Sequence, residues 1–401
     1  MAFPLLIRNV YAFYEHETDE YSLDLRGLIR GFGMAWKNPE NQYFYEDRSD
    51  SGLAGLARLM AQAKVDQHLS FEANIYQTYI PTVMASSRGG ISTSLDVERS
   101  AALEKSYSND TYTHLAVDRL NAHWSQDRLD LTVGRQPINL ATTFYFTPND
   151  FFAPFAAQTF YRVYKPGVDA ARVDVRLADL SQFSLMSVLG YKRDSESDTG
   201  WSDEPETDRI SYLARLSTVF HDFDWVFLGG VVRDTNIIGG ALQGEVFQWL
   251  GIRAEGHWAD PDEPQEDPYS LFSVGFEHRW ENSLNIRWEQ FHNGQGTDSV
   301  SDYGRSYFAS QNQKAYLAKD YTALGLGYEF TPLFNGEFLI INNWVDDSYL
   351  FSANAVYSLS DEAELAVNVT TPFGEKPNGP EIRSEFGLYP TSVNLEVRWY
   401  F

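Results

Sequence analysis

The sequence predicts an all-β fold, a transmembrane antiparallel up-and-down β-barrel of about 18 strands (range about 16 to 20), and three observations lead there. The last stretch, Thr391 to Phe401, reads T-S-V-N-L-E-V-R-W-Y-F. It puts Val393, Leu395, Val397, Trp399 and Phe401 on one face of an extended strand and Asn394, Glu396 and Arg398 on the other. Alternation of this kind recurs along the chain, between connections that are by turns long and very short. No run approaches the roughly 20 apolar residues of a spanning helix. Yet 15% of the 401 residues are aromatic, which suits girdles at a membrane interface.

Composition removes several other classes. Mean hydropathy is -0.37, so a helical membrane protein is excluded. Cysteine is absent, which excludes disulfides, thiolate metal sites, thiol nucleophiles and covalently attached c-type haem. No H-E-x-x-H or G-x-S-x-G motif accompanies His114, His123, His257, His278 or His292, so no enzyme, metal or cofactor is expected. The chain opens M-A-F-P-L-L-I-R-N without a basic and apolar leader, read here as a mature form with an added Met.

In chain order, residues 1–20 form an N-terminal periplasmic segment ending in Glu15, Glu17, Asp19 and Glu20, and 21–401 form the barrel. The first alternating run, Tyr21 to Lys37, sets Leu23, Leu25, Gly27 and Ile29 against Asp24, Arg26 and Arg30. After a polar loop, Leu53, Ala57, Leu59 and Ala61 alternate with Arg58, Gln62 and Lys64. A tight turn at Asp66 then starts Leu69, Phe71, Ala73 and Ile75 against Ser70, Glu72 and Asn74. Further on, long connections near 38–51, 83–110, 139–166, 193–208, 259–268, 293–318 and 373–391 alternate with short ones near Asp66, 125–128, 178–182, 221–224, Leu250, 281–282, 331–333 and 360–362. Long external loops and tight periplasmic turns are the expected pattern, with both termini in the periplasm.

The polar parity holds the candidate function. It carries Arg26, Arg30, Arg58, Glu72, Arg172, Asp174, Arg176, Arg209, Arg215, Glu245, Arg253, Glu255, Glu277, Arg279, Arg287, Glu289 and Arg398. Each such charge would cost about 2 to 4 kcal/mol in mid-bilayer, so they are expected to line a hydrated lumen. Arg172, Arg176, Arg209 and Arg215 are expected to form one basic patch. Arg135 is an exception, because it sits on the lipid parity of Leu129, Leu131 and Val133 and requires a bulge or strand end. The net charge of -25 resides mainly in loops, as in Asp194, Glu196, Asp198, Asp203, Glu204, Glu206 and Asp208 or Asp260, Asp262, Glu263, Glu266 and Asp267. Neither cluster has the spacing of a calcium loop, and both read as solvated.

Between the strand ending near Ile138 and Gly167 lies a connection too long for a compact turn and too aromatic for disorder, with Phe144, Tyr145, Phe146, Phe151, Phe152, Phe155, Phe160, Tyr161 and Tyr164. It is expected to fold inward as a constriction (140–166) presenting Asp150, Tyr161, Arg162 and Lys165.

The closing strand resembles that of bacterial outer-membrane β-barrels. That resemblance makes Trp399 and Phe401 an assembly signal for the barrel-assembly machinery. The motifs L-T-V-G-R-Q-P-I (131–138), T-P-N-D-F-F-A-P-F (147–155), G-V-D-A-A-R-V-D-V (167–175) and E-Q-F-H-N-G-Q-G (289–296) resemble porin-like barrels of the alginate-export and related groups. This implies an outer-membrane channel for small hydrophilic or anionic solutes. Its expected partners are lipid, lipopolysaccharide and the solute, with no nucleic acid. The alternative is a sheath around a multihaem cytochrome in a conduit for transmembrane electron transfer.

Overall fold

The computed structural model describes residues 13–18, 21–81, 97–108, 111–197, 199–262, 266–309 and 316–401. Residues 1–12, Asp19 and Glu20 of the N-terminal segment, residues 83–96 and 109–110 of one long connection, and the loop acids Asp198 and Glu263 lie outside the described residues.

In chain order the strands are β1 (Tyr14–Glu17), β2 (Ser22–Lys37), β3 (Ser49–Lys64), β4 (Leu69–Pro81), β5 (Glu104–Ser108), β6 (Thr111–Gln126), β7 (Leu129–Gln136) and β8 (Val168–Ala178). There follow β9 (Ser181–Val188), β10 (Tyr191–Arg193), β11 (Trp201–Pro205), β12 (Ser211–Phe220), β13 (Phe223–Val232), β14 (Thr235–Val246), β15 (Leu250–Pro261) and β16 (Tyr269–Arg279). The chain ends with β17 (Asn285–Asn293), β18 (Asp320–Thr331), β19 (Phe334–Asn343), β20 (Tyr349–Ser358), β21 (Ala363–Phe373) and β22 (Thr391–Tyr400). Setting aside β1, β5 and the small β10–β11 hairpin, 18 of them form a closed antiparallel barrel, each pairing with its neighbours in sequence and β22 closing on β2.

Side-chain alternation gives the wall two surfaces. On β22, Val393, Leu395, Val397 and Trp399 are 45 to 50% exposed on the outside, while Ser392, Glu396 and Arg398 are buried within. The same outward set continues with Ile29 and Leu59, Phe71 and Ile75, Phe227, Ile238, Trp258, Phe272 and Phe338. Such a continuous apolar outer surface is what a hydrocarbon environment requires.

The short connections expected from the sequence lie at one end, with β1 and Phe401. His221 and Asp222 both have positive φ, the geometry of a two-residue hairpin turn whose twist matches the strands. At Asp66 the carboxylate accepts from the His68 and Leu69 N–H groups, each at 2.7 Å, and fixes that turn. Opposite them, two connections are also short: Arg233–Asp234 joins β13 to β14, and 344–348 joins β19 to β20. The sequence pattern did not separate these two hairpins, the first because Gly229, Gly230, Gly239 and Gly240 carry no side chain to mark a face.

Two local departures shape the wall between β6 and β8. The β4–β6 register shifts at Asn74/Ile75, so inward parity passes from His114, Ala116 and Asp118 to Arg119 and Asn121. Gly134 has φ +116°, and a Cβ there would strike the Leu120 carbonyl, so only glycine fits. This is the irregularity that Arg135 requires. β5 pairs with β6 beyond the end of β7, where the chain leaves the wall. β1 pairs with β2 below the β22 pairing, so Tyr14–Glu17, expected ahead of the barrel, adds to its sheet.

Candidate functional site

On the short-turn half, the face of the wall opposite the apolar exterior is polar and ionic. Glu72 accepts from Arg119 at 2.8 Å; Arg26 pairs with Asp24 at 2.7 Å; Arg172 pairs with Asp174 at 2.7 Å. Near the rim, Arg176 donates to the Asp127 carbonyl and Arg279 stands 4.0 Å from Glu329, while Glu245 is exposed beside the β14–β15 turn. Toward the external end the inward positions turn apolar. Phe32, Met34 and Trp36 on β2, Leu213 on β12, Leu228 on β13 and Leu339 and Ile341 on β19 are buried there. Loops pack over these positions from within: Phe152 and Ile138 against the β8–β15 side, and Tyr303, Leu317, Ile382, Phe386 and Leu388 against β17–β20.

Residues 137–167 leave the wall after β7 and reach inward-facing groups on distant strands. Backbone N–H groups of Thr142, Thr143 and Asn149 donate to Glu255 on β15, and those of Phe144, Tyr145 and Phe146 to Glu289 on β17. Wall arginines serve as platforms for the segment's rings. Phe144 lies 4.2 Å from the Arg253 guanidinium and 4.3 Å from that of Arg287. Tyr161 lies 4.4 Å from Arg30 and 4.1 Å from Arg398, and Tyr164 lies 4.7 Å from Arg58. Cation–π contacts of this kind gain strength where water is excluded. Carboxylates hold the arginines in turn. Glu396 bridges Arg30 and Arg398, Glu364 lies 3.3 Å from Arg398, and Glu277 lies 3.3 Å from Arg253 and 3.7 Å from Arg287.

Several expectations about individual residues change. Asp150 and Lys165 pair with each other at 2.5 Å and are buried, and Arg162 donates to the carbonyls of Phe144, Ala156, Ala157 and Thr159. These three brace the segment internally instead of facing open space. Glu255 and Glu289, expected to line water, are 3% and 0% exposed. The four-arginine patch does not form. Arg209 lies in the turn Thr207–Arg209 before β12, where with Arg233 it binds Glu98 at 3.1 and 2.6 Å. Burial pushes the Glu98 carboxyl up, but these two guanidiniums outweigh it and hold the group below the ordinary carboxylate range.

Arg135 belongs to a buried ionic seam that parity alone could not reveal. It is 1% exposed and bonds Asp169, Glu104 and the carbonyls of Val117 and Ser100. Arg99 continues the seam through Glu104 and Asp118 to Arg58. The alternating charges stitch β5, β6 and β8 together where β7 departs.

A cavity of about 350 Å³ lies between Ala141 and Thr142 of the segment and the β12–β14 wall, bordered by Arg215, Ser217, Asp224, Val226 and Gln243. Arg172 stands near Arg215 across β9, since Arg215 and Asp174 both pair with Ser184.

A closed 18-strand barrel with an apolar exterior, an ionic interior and an inward-folded segment is the architecture of outer-membrane porins. No protein-family model matches the sequence, and no curated protein is similar to it in sequence. Solved structures match over nearly the whole chain. OccAB1 of Acinetobacter baumannii superposes with TM-score 0.61 at 9% identity, covering 94% of this chain and 96% of that one. OccAB3 of the same organism gives TM-score 0.59 at 11% identity, covering 94% and 99%. OccK2 (OpdF) of Pseudomonas aeruginosa, solved in complex with glucuronate, gives 0.57 at 8% identity, covering 94% and 98%. At these identities the likeness is one of fold, and it agrees with the porin-like resemblance read from the sequence.

Proposed function

We propose that this protein is a bacterial outer-membrane channel through which small hydrophilic or anionic solutes pass, narrowed by residues 140–166. The observation that carries this reading is the inward segment itself. Bound to β15 and β17 on one side and to β2, β3 and β22 on the other, it leaves about 350 Å³ beside Arg215, room for a small solute and its water. Arg172 is paired with Asp174 and Asp224 shares the lining, so Arg215 is the charge on that side expected to draw anions despite the net charge of -25, in a narrow low-dielectric passage that focuses the nearest charges. The glucuronate bound by OccK2 is a small anion of the same kind. A sheath around a cytochrome would need the lumen for its partner, and the segment and external loops that pack there favour the channel.

Reconstitution in planar bilayers at low salt tests the proposal. The wild type is expected to conduct with mild anion preference. Arg172→Gln with Arg215→Gln should move the reversal potential toward cations, and shortening the 140–166 segment should raise single-channel conductance. A cation-selective pore indifferent to the double substitution would overturn the anion assignment.

A further inference from the structure

Residues 142–146 turn five consecutive backbone N–H groups toward the wall, and two carboxylates receive them. Glu255 accepts from Thr142, from Thr143 at 3.0 Å and from Asn149 at 3.1 Å. Glu289 accepts from Phe144 at 2.8 Å, Tyr145 at 3.2 Å and Phe146 at 2.6 Å. The two strands repeat one short pattern, Arg253-Ala-Glu255 and Arg287-Trp-Glu289, so each glutamate has an arginine two residues before it on the same face. Because β16 separates them, β15 and β17 run in the same direction and present both pairs alike. Both guanidiniums lie against the Phe144 ring, and Arg253 also donates to the Thr142 carbonyl at 3.0 Å.

Thr142 is the connection to conduction. Held by Glu255 through its N–H and by Arg253 through its carbonyl, it also borders the passage opposite Arg215 and Gln243. We infer that Glu255 and Glu289 are positioning residues that latch the inward segment, set the width of the passage beside Arg215 and so gate conduction. This inference deepens the channel proposal and rests on it. A carboxylate suits the task because it is acceptor-only, and ionised acceptors form the stronger bonds. Glutamine keeps the shape but turns an NH2 group toward N–H donors, leaving buried donors unmet.

Amide hydrogen exchange in micelles, combined with bilayer recording, tests the latch in the wild type, Glu255→Gln, Glu289→Gln and a control, Glu362→Gln, at an exposed position in the short turn between β20 and β21. Wild-type amides 142–146 should exchange as slowly as strand amides. In each latch variant they should exchange at least about tenfold faster, the consequence of losing roughly one bond to a charged acceptor. Conductance of those variants should rise and split into several levels, while the control matches the wild type. Fast exchange of 142–146 in the wild type overturns the latch, and this measurement decides even if a variant fails to insert. Latch variants that conduct with wild-type amplitude overturn the gating while the channel reading stands. A wild type that never conducts overturns the channel reading, and amide exchange then decides the latch alone.

Discussion

Val397 and Asn394 stand three residues apart on one strand and face different solvents. Val397 is 45% exposed on the outer surface, between Leu365 on β21 and Gly31 on β2, whereas Asn394 points into the lumen. Arg at Val397 or Leu365 should therefore destabilise the barrel, by about 2 to 4 kcal/mol where the position lies near the midplane and by less toward the interface, and Arg at Asn394 or Asn368 should be tolerated. Unfolding in lipid vesicles measures this, and equal costs on both faces would contradict the orientation. The facing of most wall residues was legible in the sequence because parity is a property of the backbone alone. Their partners were not. Arg30, Arg253, Arg287 and Arg398 hold rings of a segment far away in sequence, and Arg209 left the wall for a loop carboxylate. Pairings of that kind depend on how a loop folds, which leaves no period to read.

At the scale of elements, the external loops reveal their design at Glu385, in the connection between β21 and β22. Its carboxylate accepts from the Tyr321 hydroxyl, from the Asn343 amide at 2.9 Å and from the Leu317 N–H at 3.2 Å, while its own N–H donates to Asp346 at 2.7 Å. It thereby ties three connections together, the ones preceding β18, β20 and β22. Burial, with Asp346 nearby, pushes its pKa up to about 7 against the bonds that favour ionisation. A carboxyl whose pKa is higher folded than unfolded takes up a proton on folding. The stability it lends is full below the ordinary carboxyl range and is lost as pH rises from there to about 7. The loops 316–319 and 374–390 should accordingly resist proteolysis better at pH 5 than at pH 8, and Glu385→Gln should flatten that difference. A wild type cleaved equally at both pH values would rule this out. Sequence reading found these loops by their length and polarity. It missed that Ile382, Phe386 and Leu388 fold back inside, where they bury the apolar inward ends of β18, β19 and β20. Those ends break the simple alternation of greasy outside and wet inside, since a loop supplies a local core.

For the whole molecule, strand number was legible because each turn resets the alternation, and the count of about 18 holds even though two external hairpins escaped notice. Closure is the step on which all other pairings depend, since an open edge would leave N–H and C=O groups bare in hydrocarbon. The C-terminus performs it. Phe401 exchanges backbone hydrogen bonds with Gly27 at 3.0 and 2.5 Å, its ring lies over the space that a side chain at Gly27 would fill, and Trp399 and Phe13 pack beside it. Deleting Trp399 to Phe401 removes this clasp together with the aromatic end that resembles an assembly signal. It should sharply lower the amount of heat-modifiable, membrane-inserted protein without reducing synthesis. Phe401→Ala separates the two contributions, because it keeps the backbone pair with Gly27 and loses only the ring. An intermediate insertion level is expected for it. Should the deletion insert at the wild-type level, the closing strand would be neither signal nor clasp, and β22 would have to hold to β2 through residues 391–398 alone.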